Sequence, residues 1–265
     1  QNAYVTQASC SPSRSSMFTG LYPHQNGQLG LEHRGYTMHR GVPTLPGLLA
    51  EAGYRSCAVG KIHVRPYEAL PFEFEAFRTE GLNTRDVRAF ERNIEGFAVL
   101  DDPRPWFALA SFSDPHKPYR GRVEGLPEQM LGPDDVKPFS QHGEFDTKAI
   151  REEVAGYYNA AKRVDIGVGL LMDMLERTGQ AQNTLVIFIG DHGPPVSRGK
   201  TTTYEFGTRI PFLIRWPERI KPRQQSDAFV STVDIMPTCL AAAEVSPPSP
   251  LAGVSLDSFY RGEPE

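Results

Sequence analysis

The sequence predicts an α/β fold in which a mostly parallel central sheet is flanked by helices. Short apolar runs of strand length alternate with capped or amphipathic helical segments along the 265 residues, which is typical of βα units. Polar motifs follow directly after several of the apolar runs. Open α/β sheets place their ligand sites at this end of the strands, so the same pattern predicts where a site lies.

Composition supports a packed domain and argues against several classes of partner. Hydrophobic residues make up 39% of the chain and charged residues 23%, which is enough for a core and not typical of disorder. A net charge of −4 offers no basic surface for a nucleic acid. No run approaches the ~20 apolar residues of a membrane span. Three cysteines cannot form a disulfide framework, and Cys57 and Cys239 are interpreted as buried apolar thiols.

The first helix is predicted directly after Cys10. Ser11 is the expected N-cap, Pro12 suits the first turn, and Gly20 can end the helix after about Thr19. Cys10 is therefore expected at a helix N-terminus, where backbone amides favour negative charge.

The strongest helical signal covers residues 147–177, where apolar residues recur at alternating steps of four and three and Asp146 is the expected N-cap. The continuous apolar run at 184–189 is typical of a strand buried in a parallel sheet. Residues 113–146 are polar and rich in Pro and Gly, and predict a long loop region over the site. The remaining predicted elements are helices at 44–52 and 235–243 and strands at 54–59, 106–112 and 212–215.

Several short motifs carry chemically versatile side chains. Cationic groups on separate loops could stabilise the dispersed charge of a sulfate-like anion, and an Asp-His pair after a buried strand could ligate a divalent cation. Each lone His or Lys is by default a solvated loop residue, so the ordered set carries the argument. The motifs are C-x-P-x-R at Cys10, Pro12 and Arg14, then Gly60-Lys61-Ile62-His63, Asp114-Pro115-His116, Gly190-Asp191-His192-Gly193 and Lys200.

This ordered set resembles the sulfatase family of the alkaline-phosphatase-like superfamily, and the resemblance runs from Cys10 to about Gly262. It implies an alkaline-phosphatase-like sandwich and the hydrolysis of a sulfate ester or sulfamate on a sugar. In that family a formylglycine-generating enzyme oxidises the motif cysteine, and the hydrated aldehyde is the nucleophile. The resemblance also implies a periplasmic, secreted or lysosomal location.

The resemblance assigns roles to individual residues. Lys61 and His63 match the pair that contacts formylglycine and sulfate, and His116 matches the histidine beside the leaving-group oxygen. The segment 204–211 is interpreted as structural. The implied catalytic residues are Cys10, Arg14, Lys61, His63, His116 and Lys200, and the implied metal ligands are Cys10, Asp191 and His192, with Ca²⁺ as the expected ion.

Other segments resemble the branch of the family that cleaves an N–S bond on a terminal N-sulfoglucosamine of heparan-type glycans. They include His24-Gln25-Asn26-Gly27, Pro71-Phe72-Glu73-Phe74 and Asp165-Ile166-Gly167-Val168-Gly169. Three alternatives stay open at this point. They are a phosphonate monoester or phosphodiester hydrolase of the same superfamily, a non-catalytic sugar-binding relative, and a cysteine-nucleophile hydrolase with His63 or His116 as base.

The resemblance also sets an expectation about the extent of the chain. The family takes two metal ligands from an Asp pair on a strand upstream of the formylglycine, and this sequence has nine residues before Cys10. We expect residues 1–265 to be part of an N-terminal catalytic domain, without its first strand and without a smaller C-terminal domain. Residues from about 245 to 265 would begin the connection to that second domain.

Overall fold

A computed structural model describes residues 2–77, 84–248 and 251–258 of the chain. Within these ranges the strands are β1 (Asn2–Tyr4), β2 (Arg55–Gly60), β3 (Phe74–Ala76), β4 (Trp106–Ser111), β5 (Val186–Ile189), β6 (Phe212–Arg215) and β7 (Phe229–Ser231). The α-helices of the same ranges are α1 (Cys10–Thr19), α2 (Pro23–Asn26), α3 (Leu45–Glu51), α4 (Val87–Ala98), α5 (Lys148–Arg177), α6 (Glu205–Thr208) and α7 (Ile235–Ala242).

Parallel pairing predominates among the described strands, as the predicted α/β class requires. β2 pairs in parallel with β3 on one side and with β4 on the other, and Gly60 lies opposite Ser111 at the carboxyl ends of β2 and β4. β1 pairs in parallel with β7. β5 pairs with β6, and this pair is antiparallel.

β2 is the buried centre of the described sheet and separates two apolar cores. Cys57 and Val59 face one core with Phe90 of α4 and Met174 of α5. Ala58 faces the opposite core with Phe18 of α1 and neighbouring loop residues. Because side chains alternate across a strand, β2 joins helices on both faces into a layered α/β structure.

The apolar run at 184–189 differs from its prediction in two respects. Only Val186–Ile189 is strand, all four residues are half-buried, and the partner β6 is antiparallel. Most of β4 is half-buried as well. Interior strands of a parallel sheet are normally buried on both faces. The described residues therefore cover β4 and β5 less completely than they cover β2.

Helix α1 begins two residues earlier than predicted. Ser9 takes the N-cap position and Cys10 is the first helical residue, while the Ser11 hydroxyl accepts a hydrogen bond from the backbone N–H of Glu32 at 3.0 Å. Gly20 ends the helix with a φ of +63°, as predicted. Cys10 is consequently held within the first turn of a buried helix.

The long helix α5 has almost the predicted bounds, and its N-cap is Thr147, whose hydroxyl accepts from the backbone N–H of Ile150. Asp146, the predicted cap, pairs with Arg151 instead. The described loop between β4 and α5 contains only two short 3₁₀ turns as helical structure, in agreement with its prediction.

Helix α4 was not predicted. Its apolar residues Val87, Phe90, Ile94 and Phe97 recur at steps of three and four, which is a helical signal. The short strands β1, β3 and β7 were missed as well, because three residues carry too little periodicity to be recognised.

All three cysteines are free. Cys57 is fully buried as predicted, whereas the residue Cys239 is partly exposed. Burial raises the pKa of both thiols to about 12; at Cys57 the charge of Arg55 opposes the shift. No helix in the described ranges combines the length and the apolar character needed to cross a bilayer.

Gly60, the last residue of β2, is predicted to tolerate a methyl group poorly. Its φ is +97°, and a Cβ would lie 2.2 Å from the Ser111 carbonyl oxygen. Gly53 is a matched control, because its φ is +86° with no atom within 4 Å of the added Cβ. Gly53→Ala should cost about 1–2 kcal/mol of unfolding free energy from backbone strain alone.

Gly60→Ala should cost more than about 3 kcal/mol, since a main-chain clash adds to the same strain. Urea unfolding of the two variants measures the difference. Equal losses in the two variants would contradict the close approach of β2 and β4 at this position.

Candidate active site

The polar motifs predicted from the sequence meet in one cavity at the carboxyl ends of β2, β4 and β5. This is the edge predicted to hold a site, because three of the motifs follow these strands, the C-x-P-x-R motif begins α1, and Lys200 lies in the loop between β5 and α6. The residues lining the cavity are Arg14, Lys61, Phe112, Ser113, Asp114, Pro115, His116, Tyr157, Asp191, His192, Gly193, Pro194, Pro195 and Lys200.

The guanidinium of Arg14 joins the three strand ends. Its Nε donates to Asp191 Oδ2 at 2.9 Å, and its Nη1 donates to the Lys61 carbonyl oxygen at 2.9 Å and to Ser111 Oγ at 2.7 Å. Lys61 follows β2, Ser111 ends β4 and Asp191 follows β5. These contacts tie the side chain to the protein, so its first role is to fix the positions of the residues around the cavity.

Cys10 lies among basic side chains, although only 2% of the residue is exposed. Its Sγ is 3.2 Å from His192 Nε2, and Lys200 Nζ donates to the same Sγ at 3.2 Å. These two residues come from the loops that follow β5, about 180 positions away in sequence. The fold thus brings the first and last of the predicted motifs into direct contact.

The surroundings of Cys10 favour the thiolate. Burial disfavours this charged form, but hydrogen bonds and positive charge from its neighbours outweigh burial and hold the pKa of the thiol well below its ordinary range. The neighbours responsible are His116, His192, His63 and Lys61. A site that stabilises a thiolate so strongly also stabilises other negative charge at the same position.

Asp191 and His192 are arranged as metal ligands would be. His192 Nδ1 is 2.7 Å from the Gly193 carbonyl oxygen, so this nitrogen carries the ring proton and Nε2 faces Cys10. A carbonyl that fixes the ring in this way is typical of metal-ligating histidines. Potential ligand atoms of Cys10, Asp191 and His192 all lie within 4.8 Å of one another. This donor set fits a divalent cation, although it has fewer oxygens than Ca²⁺ prefers.

His116 lines the cavity with its ring held by its own loop. Its Nδ1 is 2.5 Å from the Lys117 carbonyl oxygen, and its backbone N–H donates to the Ser113 carbonyl oxygen at 3.0 Å. Since Nδ1 donates to the main chain, Nε2 is the ring atom available to Cys10 and to a bound molecule.

Lys61 and His63 both reach Cys10 from the loop after β2. Lys61 is 9% exposed, and burial, together with the charge of Arg14, lowers its pKa. His63 has a left-handed backbone with a φ of +59°. Its Nε2 is 3.0 Å from Nδ1 of His33, and the two rings are nearly coplanar. The G-K-x-H motif therefore places both of its polar side chains near Cys10.

All predicted site residues come together, and several contributors were missed. Ser111 could have been found from the sequence, because it lies near the end of a predicted strand, and the site motifs follow the ends of strands. His33 has no sequence signal, since only the folded chain brings it to His63. Arg85 and Arg163, which contact Asp114, lie outside any motif. Tyr157 of α5 lies in the cavity wall. It was missed because it belongs to the apolar repeat of the helix, which predicts an ordinary core residue.

The similarity of the chain to known proteins agrees with the geometry of the candidate site. The sequence profile of the Sulfatase family matches residues 1–245. The chain belongs to the sulfatase family. Human N-sulphoglucosamine sulphohydrolase is 34% identical over 274 aligned residues, which cover 94% of this chain and 54% of that protein. The chain spans about half the length of the curated relatives it matches.

Solved structures support the sulfatase fold of this chain. The phosphonate monoester hydrolase of Agrobacterium radiobacter has a TM-score of 0.80 at 19% identity, covering all of this chain and 70% of that one. An enzyme solved in complex with its substrate D-glucosamine-2-N,6-O-disulfate has a TM-score of 0.74 at 20% identity, covering 99% of this chain and 73% of that one. At these identities the likeness establishes the fold, which is the alkaline-phosphatase-like α/β architecture expected from the motifs.

When the chain is produced without modification, the alkylation rate of Cys10 is predicted to be independent of pH, although its burial slows the reaction. Its lowered pKa keeps it a thiolate from pH 6 to pH 8, so its rate with iodoacetamide should be nearly constant over this range. An ordinary thiol, with a pKa of about 8.5, would instead react roughly tenfold faster per pH unit. Cys57 and Cys239 serve as internal controls, because burial raises the pKa of both thiols to about 12.

Tryptic mapping identifies the alkylated residue and its rate at each pH. A Cys10 rate that rises tenfold per pH unit would show that the imidazoles and lysines do not stabilise negative charge at this position.

Proposed function

We propose that this chain is the catalytic part of a sulfatase that hydrolyses a sulfate ester or sulfamate on a sugar, with N-sulfoglucosamine of heparan-type glycans as the substrate class. The observation that carries the proposal is the convergence of basic side chains on residue 10 of a C-x-P-x-R motif. The similarity to human N-sulphoglucosamine sulphohydrolase supports the choice of sugar.

In the working protein, residue 10 is formylglycine, made by a formylglycine-generating enzyme, and the Cys10 Sγ stands in for an oxygen of its hydrate. The hydrated aldehyde supplies the hydroxyl that attacks sulfur. Lys200 Nζ, 3.2 Å from Sγ, is placed to exchange a proton with that oxygen or to stabilise its charge. His63 and Lys61 approach the same atom from the loop after β2.

The sulfate group fits the cavity between residue 10 and His116. Charge develops on the sulfonyl oxygens and on the leaving atom as the bond to sulfur breaks. Arg14, Lys61 and Lys200 line the cavity, and their fixed positive charges stabilise this developing charge more than they would in water.

His116 is the group best placed to protonate the departing alcohol or amine. Its Nδ1 proton is committed to the Lys117 carbonyl oxygen, so in the imidazolium form Nε2 holds the proton that can be transferred. Lys200 is the second candidate for this role, because it reaches residue 10 from the opposite loop.

Asp191, His192 and residue 10 would hold a divalent cation, with Ca²⁺ as the proposed ion. When bound, the cation supplies Lewis-acid stabilisation of negative charge near residue 10. Arg14 occupies Asp191 Oδ2, which leaves Oδ1 as the ligand atom nearest His192 Nε2, at 3.8 Å.

The half-buried strands indicate where further structure belongs. Arg14 contacts the ends of β4 and β5 at once, yet the two strands lie in separate described sheets. We propose that a strand of the longer protein occupies the space between them and brings the Asp pair expected from the family. Residues from about 245 would begin the connection to a second domain.

A phosphonate monoester or phosphodiester hydrolase is the second candidate function. The fold of the Agrobacterium radiobacter enzyme matches along the whole chain, and Arg14, Lys61 and Lys200 would stabilise a phosphonate as well as a sulfate. The leaving-group contacts with the sugar, rather than the cations, would separate the two activities.

The modification of Cys10 is the first test of the proposed function. The full-length protein, co-expressed with a formylglycine-generating enzyme, should yield a residue-10 peptide about 18 Da lighter than the cysteine form. The converted protein should release sulfate from N-sulfoglucosamine faster than it hydrolyses phenyl phosphonate esters. Cys10→Ala is the matched control, and it should retain the fold without either activity.

A cysteine left unconverted in an active enzyme would refute the formylglycine proposal. Faster hydrolysis of the phosphonate ester would favour the second candidate function.

Metal binding tests the proposed strand between β4 and β5. Residues 1–265 alone should bind Ca²⁺ only weakly, with a Kd on the order of 10⁻⁴–10⁻³ M, because three donors fill at most half of a calcium coordination sphere. Calorimetric titration measures this affinity. Asp191→Asn should abolish binding, and Asp173→Asn on the exposed face of α5 should leave it unchanged.

Near-native sulfatase activity or micromolar calcium affinity from these residues alone would contradict the need for further ligands.

A further inference from the structure

A buried ion triad lies directly behind the cavity. Both carboxylate oxygens of Asp114 are paired: Oδ1 accepts from Arg85 Nη1, and Oδ2 accepts from Arg163 Nε at 2.6 Å. None of the three side chains is more than 2% exposed. Asp114 belongs to the motif that ends in His116, whereas Arg163 belongs to α5 and Arg85 directly precedes α4.

The two arginines also hold the main chain of the His116 loop. Arg85 Nη2 donates to the His116 carbonyl oxygen at 3.1 Å. Arg163 Nη1 donates to the carbonyl oxygens of Gly121 at 2.5 Å and Leu126 at 3.3 Å. The start and the middle of this loop are therefore fixed to two helical regions that belong to the protein core.

The pairing excludes a direct chemical role for Asp114. Its oxygens are both occupied by guanidinium groups, so it neither accepts a proton from a substrate nor orients the His116 ring. That ring is oriented by the Lys117 carbonyl oxygen, whose position depends on the backbone of the same loop. The hydrogen bond from Arg85 to the His116 carbonyl oxygen is the contact that controls this backbone most closely.

Stability alone does not account for the triad. The desolvation of two charges makes a buried ion pair costly in free energy, and apolar side chains of similar volume usually stabilise a core as well or better. The triad also contains two positive charges for one negative charge. An arrangement of this kind is more readily explained by the geometry that it imposes than by the free energy of unfolding that it contributes.

We propose that Arg85 is a positioning residue for His116, and that Asp114 and Arg163 hold Arg85 in the required place. This inference rests on the proposed function, in which His116 protonates the leaving group. Arg85 touches no substrate atom. It acts through the His116 main chain, and thereby keeps Nε2 within reach of the departing alcohol or amine.

Arg85→Lys tests the inference. A lysine can still pair with Asp114, but one ammonium group cannot reproduce the planar fork that reaches both Asp114 Oδ1 and the His116 carbonyl oxygen. Arg85→Met is the second variant. It leaves Asp114 paired with Arg163 as a neutral pair, so the fold is retained even if a buried lysine is not tolerated.

Arg55→Lys is the matched control. Arg55 is equally buried, at 3% exposure, and its Nη1 and Nη2 donate to the carbonyl oxygens of Phe97 and Ala98 at the end of α4. It therefore shares with Arg85 the anchoring of main-chain carbonyls by a buried guanidinium, but it has no contact with the His116 loop.

Kinetics on two substrates separate positioning from general stability. In the full-length, converted protein, Arg85→Lys and Arg85→Met should lower kcat on a sugar sulfate or sulfamate by about tenfold or more, with KM within about twofold. On 4-nitrophenyl sulfate, whose leaving group needs no proton, kcat should change by less than about twofold. Arg55→Lys should leave both kcat values unchanged.

An NMR measurement tests positioning without relying on activity. The His116 Nδ1–H bond to the Lys117 carbonyl oxygen should give a protected ring proton in the wild type and in Arg55→Lys, and the proton should be lost or broadened in both Arg85 variants. If the wild type lacks sulfatase activity, the proposed function fails and this signal still decides the positioning role. An unchanged His116 signal, or equal loss of kcat on both substrates, would overturn the inference.

Discussion

The candidate site depends on one guanidinium. Arg14 lies one turn beyond Cys10 on α1 and spans the ends of β2, β4 and β5 through Lys61, Ser111 and Asp191. Charge-assisted hydrogen bonds of this kind are strong and directional, and Arg can make several of them with one planar group. Because Cys10 and Arg14 are on the same helix, fixing the arginine also fixes residue 10 relative to the loops that follow the strands.

The local charge of the site differs from that of the chain. The chain carries a net charge of −4, but cationic side chains predominate around the cavity. The buried arginines behind Asp114 add one further positive charge to those of Arg14, Lys61 and Lys200. Only the local field matters for an anion held within a few ångströms, since solvent and salt screen the distant acidic surface. A weakly acidic protein can therefore present a strongly anion-binding site.

The sequence predicted the positions of the motif residues better than it predicted some of the fold. Motif residues at strand ends were placed correctly, because the carboxyl ends of neighbouring strands must meet at one edge. The antiparallel partner of β5 and the N-cap at Ser9 could not be read from the sequence, since both depend on tertiary packing. Arg85 and Arg163 were missed for a related reason. Their partner Asp114 is 29 and 49 residues away, and no local pattern signals such a pairing.

The hydrogen-bonding capacity of residue 10 distinguishes the two kinds of nucleophile that the sequence left open. A thiol is one weak donor and a weak acceptor, and a cysteine nucleophile needs a single base beside it. His192 and Lys200 lie at hydrogen-bond distance from Cys10 Sγ, and His63, His116 and Lys61 further stabilise negative charge at the same position. These five basic side chains are more than the single base that a cysteine nucleophile needs. A hydrated aldehyde has two hydroxyl groups, each of which both donates and accepts. The basic side chains around residue 10 therefore support the proposal that formylglycine, rather than cysteine, is the nucleophile.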